Sequence, residues 1–161
     1  MARHHLLLAS FLLAGACGSE PSRLAADFTL PDMKGAPVTL SSFRGKTVLL
    51  NFWATWCDSC REETPALEEL RARLGPKGLV LLGVSLDEDA AKAVPPFLKE
   101  FKATYPVLVA DRKAVADYAV RGLPTTFLVD RDGRVVRRWV GPLDLRAVEN
   151  DILAQLDRRP P

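Results

Sequence analysis

Two apolar runs dictate most of what this chain can become. "TVLLNFWA" fills positions 47–54 and "GLVLLGVSL" fills 78–86. Both are short, nearly unbroken, and rich in β-branched or aromatic members. Each therefore reads as a strand buried on both faces, the kind found in the middle of a parallel sheet. Between them Leu67, Leu70 and Leu74 keep helical spacing, opposite Glu68, Glu69, Arg71 and Arg73. Gly75 and Pro76 end that helix. Strand, helix, strand is a βαβ unit, whose crossover is expected to be right-handed. With 48% hydrophobic residues, the chain can bury a core without covalent staples.

The flanking text fits an α/β domain. "DFTLPDMKGAPVTLSSFRGK" reads as a hairpin and a loop, with Phe28 and Leu30 alternating and "DMKG" as the turn. Beyond the second strand, a Lys- and Ala-rich helix is expected to start at Pro95-Pro96. "YPVLVAD" is a short strand and "KAVADYAV" a short helix. "TTFLVDRDGRVVRRWVG" is a hairpin turning at Asp132-Gly133. A last helix is expected near Asp144, an N-cap, with Leu145, Val148, Ile152 and Leu156 on one face.

The start of the chain differs from the rest. "MARHH" is basic and "LLLASFLLAGA" is apolar. The run falls short of the about 20 residues that cross a bilayer, and it matches the apolar part of a secretory signal. A buried N-terminal helix is the alternative, but no polar face interrupts the run. Ala14-Gly15-Ala16 places cleavage after Ala16. "LAGAC" also resembles a bacterial lipobox, with Ala14 where leucine is usual; there Cys17 would be lipidated. Both routes cut the same bond. The lipoprotein route is favoured because it gives the lone Cys17 a role. The expected layout is a signal at 1–16, a polar tether at 17–24, one domain at 25–157 and a frayed tail at 158–161. Cleavage removes His4 and His5, leaving no imidazole in the mature chain. The net charge of +2 is spread along the chain, with no basic block for nucleic acid.

The chemistry sits in "NFWATWCDSCREETP". A structural disulfide between Cys57 and Cys60 would close too short a loop to gain much. A zinc or copper site wants three or four N/S ligands, and beside these two sulfurs the mature chain has only Met33 and the distant Cys17 as soft donors. Redox chemistry remains. The pair lies at the C-terminal end of a central strand and the mouth of the next helix, where sites in open α/β sheets gather. Unpaired N–H groups and the helix dipole favour the Cys57 thiolate, the attacking species. Cys60, one turn in, is expected to be more buried and to attack the resulting mixed disulfide.

"NFWATWC..C..E.P" resembles the active-site segment of thioredoxin-fold proteins, and more specifically that of the TlpA/ResA-like thiol-disulfide oxidoreductases. The likeness extends to the N-terminal hairpin text, to residues 87–110 as a central insertion, and to "RGLPTTFLVDRDGRVV". It implies a thioredoxin-like α/β fold with an N-terminal β-hairpin extension and a central insertion. It implies exchange with disulfides of client proteins, no bound cofactor, an upstream envelope thiol donor, and a setting in the bacterial cell envelope such as cytochrome c or copper-site maturation. Pro124 would be a cis-proline facing the cysteines, with the backbone near Leu123 receiving a substrate segment by edge pairing. Trp56 would form an exposed rim beside Cys57, whereas Trp53 belongs to the core. A peroxiredoxin-like peroxidase and a copper-binding metallochaperone are the alternatives. The peroxidatic pattern P-x-x-x-T-x-x-C would need proline and threonine where this chain has Leu50 and Ala54.

Two charges complete the reading. Asp58 beside Cys57 disfavours the thiolate and points to a reductase, although Arg61 acts in the opposite sense. Thioredoxins resemble one another in a buried aspartate on the strand beneath the cysteines; Asn51 takes that place and cannot accept a proton. Glu63, three residues after Cys60, shares its helix face, and the TlpA/ResA-like branch has a glutamate there, followed by a proline, here Pro65. The alternative is that Glu63 is one more solvated acid alongside Glu62, Glu68 and Glu69.

Overall fold

The structure, a computed structural model, describes residues 23–158. Its main sheet holds β1 (Arg23–Leu24), β4 (Thr47–Trp53), β5 (Leu79–Ser85), β6 (Val107–Val109), β7 (Thr125–Val129) and β8 (Arg134–Val140), and β2 (Thr29–Pro31) and β3 (Pro37–Thr39) form a separate hairpin. The helices are α1 (Asp58–Leu74), α2 (Ala90–Phe101), α3 (Arg112–Asp117) and α4 (Leu145–Leu156). The order across the sheet is β1-β8-β7-β4-β5-β6. β4, β5 and β6 run parallel, while β7 and β8 run antiparallel to their neighbours. The expected βαβ unit is β4-α1-β5, and every residue of β4 is buried.

The period of two along β4 builds both layers. Leu49 and Trp53 face a core shared with Leu67, Leu70 and Leu74 of α1, Val94 and Phe97 of α2, and Val148 and Ile152 of α4. Val48, Leu50 and Phe52 face the other way, onto Leu30 and Leu40 of the hairpin region, Ala114 of α3 and Tyr118 at its C-terminal cap. Each fully buried Leu or Phe stabilises the fold by roughly 1.5–3 kcal/mol. Gly83 of β5 lies under the Trp53 indole, where an added Cβ would come within 2.8 Å of Nε1. A glycine there leaves room for the indole and for the Tyr105 ring, which the same Cβ would meet at 3.0 Å. At the β7–β8 turn Gly133 takes φ 71°, a left-handed conformation that its missing Cβ makes cheap.

The structure moves two sequence boundaries. α2 starts at Ala90, one residue after the Asp89 N-cap, and not at Pro95-Pro96, which both lie inside it. Two interior prolines each cost about 3 kcal/mol or more in an isolated helix. Here Ala90, Val94 and Phe97 are almost fully buried at helical spacing, and that burial holds the helix together. The tether, expected to reach Leu24, ends earlier: Arg23 and Leu24 pair with Val135 and Arg134 of β8. The β8 edge offers unpaired backbone groups, so these two residues are taken up as a strand. The signal, Cys17 and most of the tether lie outside the described residues.

Candidate active site

β4 delivers the chain to the site. After Trp53 the backbone leaves the sheet, and α1 begins at Asp58 with Cys57 as its N-cap. The Cys57 sulfur accepts a hydrogen bond from the Cys60 N–H at 3.3 Å. Orphan N–H groups and the positive end of a 17-residue helix thus surround the first sulfur. The two cysteines are joined as a disulfide, with Cα atoms 5.2 Å apart. Cys57 is 8% exposed and Cys60 1%. The outer cysteine keeps a small exposed area at the head of the helix, while the inner one is sealed beneath it.

One side of Cys57 opens into a groove of about 510 Å3, lined by Trp56, Leu86, Val120, Arg121, Gly122 and Leu123. Trp56 is 67% exposed at its rim, while Trp53 is buried in the core. The Leu123–Pro124 bond is cis, and Leu123 is half-buried against the groove. The structure therefore brings Cys57, Trp56 and Leu123 to one surface, with Pro124 immediately before β7.

Glu63 lies on the inner side. Of the acids Glu62, Glu63, Glu68 and Glu69, it alone is buried, at 7% exposure. Its Oε1 accepts from Asn51 Nδ2 at 3.3 Å, and Asn51 Nδ2 also donates to Thr126 Oγ1 at 2.9 Å. Among the described residues its Oε2 has no hydrogen-bond partner within normal distance. Burial pushes the carboxyl up to about 7, against smaller opposing pulls from Asn51 and the Leu143 backbone. Asn51 thus lies on the strand beneath the cysteines, where it positions a carboxyl it cannot replace.

Arg61 faces elsewhere. Its guanidinium binds the Thr55 carbonyl at 3.3 Å and Glu100 at 3.0 Å, and lies 5.4 and 5.0 Å from the ring centroids of Phe97 and Phe101. That stack ties the start of α1 to α2.

One participant escaped the sequence reading. Asp87, buried just after β5, accepts from the Thr55 N–H at 3.2 and 3.1 Å, from Thr55 Oγ1 at 2.6 Å and from Ser85 Oγ at 2.8 Å. It clamps the loop that presents Trp56 and Cys57. The available signal was its position, an acid at the C-terminal end of a buried strand.

Comparison with known proteins agrees with this geometry. The AhpC/TSA family profile matches residues 21–138. The thiol-disulfide oxidoreductase ResA of Bacillus cereus is 37% identical over 118 residues, covering 73% of this chain and 68% of the relative. The thioredoxin-like protein YneN of Bacillus subtilis is 35% identical over 136 residues, covering 84% and 80%. Among solved structures, a thiol:disulfide interchange protein DsbE from Chlorobium tepidum superposes with a TM-score of 0.79 at 35% identity, covering 86% of this chain and 99% of that one. With a sulfur pair at the mouth of α1 and relatives that share both sheet and chemistry, the chain belongs to the AhpC/TSA family as a thiol-disulfide oxidoreductase of thioredoxin fold.

Proposed function

We propose that the protein is a reductase of protein disulfides in the bacterial cell envelope, held to a membrane by lipidated Cys17. In its reduced form the Cys57 thiolate attacks a client disulfide. A Cys57–client mixed disulfide forms, and one client thiolate leaves and takes up a proton. Glu63 accepts the Cys60 proton. The Cys60 thiolate then attacks Cys57 Sγ, the second client thiolate leaves, and the Cys57–Cys60 disulfide closes. Two electrons have passed to the client, and an upstream thiol donor must return them. Pro124 and Leu123 present backbone to the client, and Trp56 shields the exchanging sulfurs. Cytochrome c or copper-site maturation is the setting we infer from the likeness to the TlpA/ResA-like branch.

The observation that carries this reading is the asymmetry of the pair. An outer sulfur at a helix N-terminus borders a groove, and an inner sulfur is buried on the same helix face as a carboxyl that titrates near neutrality. Cys60→Ser leaves the outer sulfur able to attack and removes the group that resolves the adduct. Expressed in cells, it is expected to accumulate mixed disulfides through Cys57, and mass spectrometry of the adducts identifies the clients. A Cys60→Ser protein that collects no adducts in the envelope fraction argues against exchange with proteins. The anchor of this reading is the acylated Cys17, and stable attachment takes two or more chains. The same fractionation is expected to leave the wild type with membranes after a salt wash. Soluble protein with a free Cys17 thiol would refute the anchor. Copper bound one-to-one by the purified reduced protein would favour the metallochaperone reading.

A further inference from the structure

The groove beside Cys57 continues past Leu86. A second groove, of about 880 Å3, runs on between the β5–α2 loop and α3. The two share Leu86, Val120 and Arg121, so they adjoin as one channel with the attacking sulfur, that of Cys57, at one end. Beyond that junction the channel is lined by apolar Val109 at the end of β6 and Val115 and Ala116 of α3, together with the charged Glu88 and Arg112. Two of its three carboxylates are already engaged by the chain itself, Asp87 by Thr55 and Ser85, and Asp111 by the Ala114 N–H at 2.6 Å as the cap of α3; the third, Glu88, is exposed beside Asp87. Arg121, at the junction of the two grooves, is exposed and makes no ion pair or hydrogen bond among the described residues. A free guanidinium between the reacting sulfur and a long trough of mixed apolar and charged walls suits an extended polypeptide better than a small disulfide.

We propose that the client segment flanking its attacked cystine leaves the Cys57 groove across Arg121 and lies along α3, with a client carboxylate beside the cystine paired to Arg121. Arg121 selects charge next to the reacting cysteine, and the trough beyond it takes apolar side chains. This rests on the reading that clients are protein disulfides reduced at Cys57.

The test uses fully reduced protein in single-turnover reactions with disulfide-bridged peptides that carry Asp, Ala or Lys beside the cysteine. Hydroxyethyl disulfide serves as the substrate without flanking groups. The expected order is Asp over Ala over Lys, with about a threefold to fivefold change per step, the size of an exposed ion pair. Arg121→Glu is expected to invert the order, and raising salt to about 0.5 M to compress it. Ala116→Phe, on the exposed side of α3, is expected to slow peptides with an apolar tail more than peptides cut short after the charged residue. If the wild type fails to reduce even hydroxyethyl disulfide, the underlying reading fails. If it reduces that compound but treats all three peptides alike, and Arg121→Glu changes nothing, the docking proposal is overturned.

Discussion

Near pH 7 the Glu63 carboxyl is about half ionised, because burial pushes it up to about 7 from an ordinary 4.5. Between those two values the folded chain holds this proton more tightly than the unfolded chain does. Stability contributed by the neutral carboxyl is therefore complete below about 4.5 and is lost as pH rises through about 7. The loss is on the order of 3 kcal/mol for this nearly buried group. Glu63→Gln carries no such proton. Its stability relative to wild type is expected to rise by up to that amount between pH 4.5 and pH 8, measured by urea unfolding of the oxidised proteins. Parallel pH curves would show that the carboxyl is solvated after all. Kinetics probe the role rather than the burial. Resolution of a preformed mixed disulfide is expected to quicken through about pH 7 in the wild type and to be slower, without that rise, in Glu63→Gln. Glu62→Gln, altering an exposed acid, is expected to do little.

At the scale of elements, the site is a joint between β4, α1, β5 and β7. Asp87 closes it by fastening the end of β5 to the loop before α1. Asp87→Ala strips partners from the Thr55 N–H and from the Thr55 and Ser85 hydroxyls, and unmade buried bonds cost about 1–3 kcal/mol. The variant is expected to lose stability in that range and to react more slowly at Cys57. Asp87→Asn, which keeps one acceptor oxygen, is expected to fall between it and the wild type. An unfolding free energy for Asp87→Ala within about 0.5 kcal/mol of the wild type, from denaturant titration, would remove the clamping role of Asp87. α2 illustrates the converse dependence. Its prolines oppose the helix locally, and packing of Val94 and Phe97 against Trp53 and the Arg61 stack sustains it.

For the molecule as a whole, the direction of electron flow depends on how well the Cys57 thiolate is stabilised. The helix N-terminus helps it and Asp58 opposes it. Arg61, the cation of the motif, is committed to Glu100, the Thr55 carbonyl and two phenylalanine rings. With little added positive charge at the sulfur, the couple is expected to lie below roughly −200 mV, toward the reducing thioredoxin end of the range. Equilibration in glutathione buffers measures it. A value near about −120 mV, that of the strong oxidant DsbA, would reverse the assignment from reductase to oxidase.

The sequence by itself determined the central strands, the helix between them, the placement of Cys57 as cap and Cys60 within, the β7–β8 hairpin and the Asp144 start of α4. Each rests on interactions within a few residues: side-chain periodicity, capping and turn chemistry. The acid three residues after Cys60 was legible for the same reason, since helical spacing alone puts it on that face. Only the tertiary structure decided what surrounds these groups. The depth of Glu63, the Asn51 link from β4 to both α1 and β7, the diversion of Arg61 to α2 and the clamp at Asp87 join residues far apart in the chain. The start of α2 and the pairing of Arg23–Leu24 with β8 belong here too. In both, burial or a distant strand edge outweighed local preference, and no local pattern records a partner that folding brings in from elsewhere.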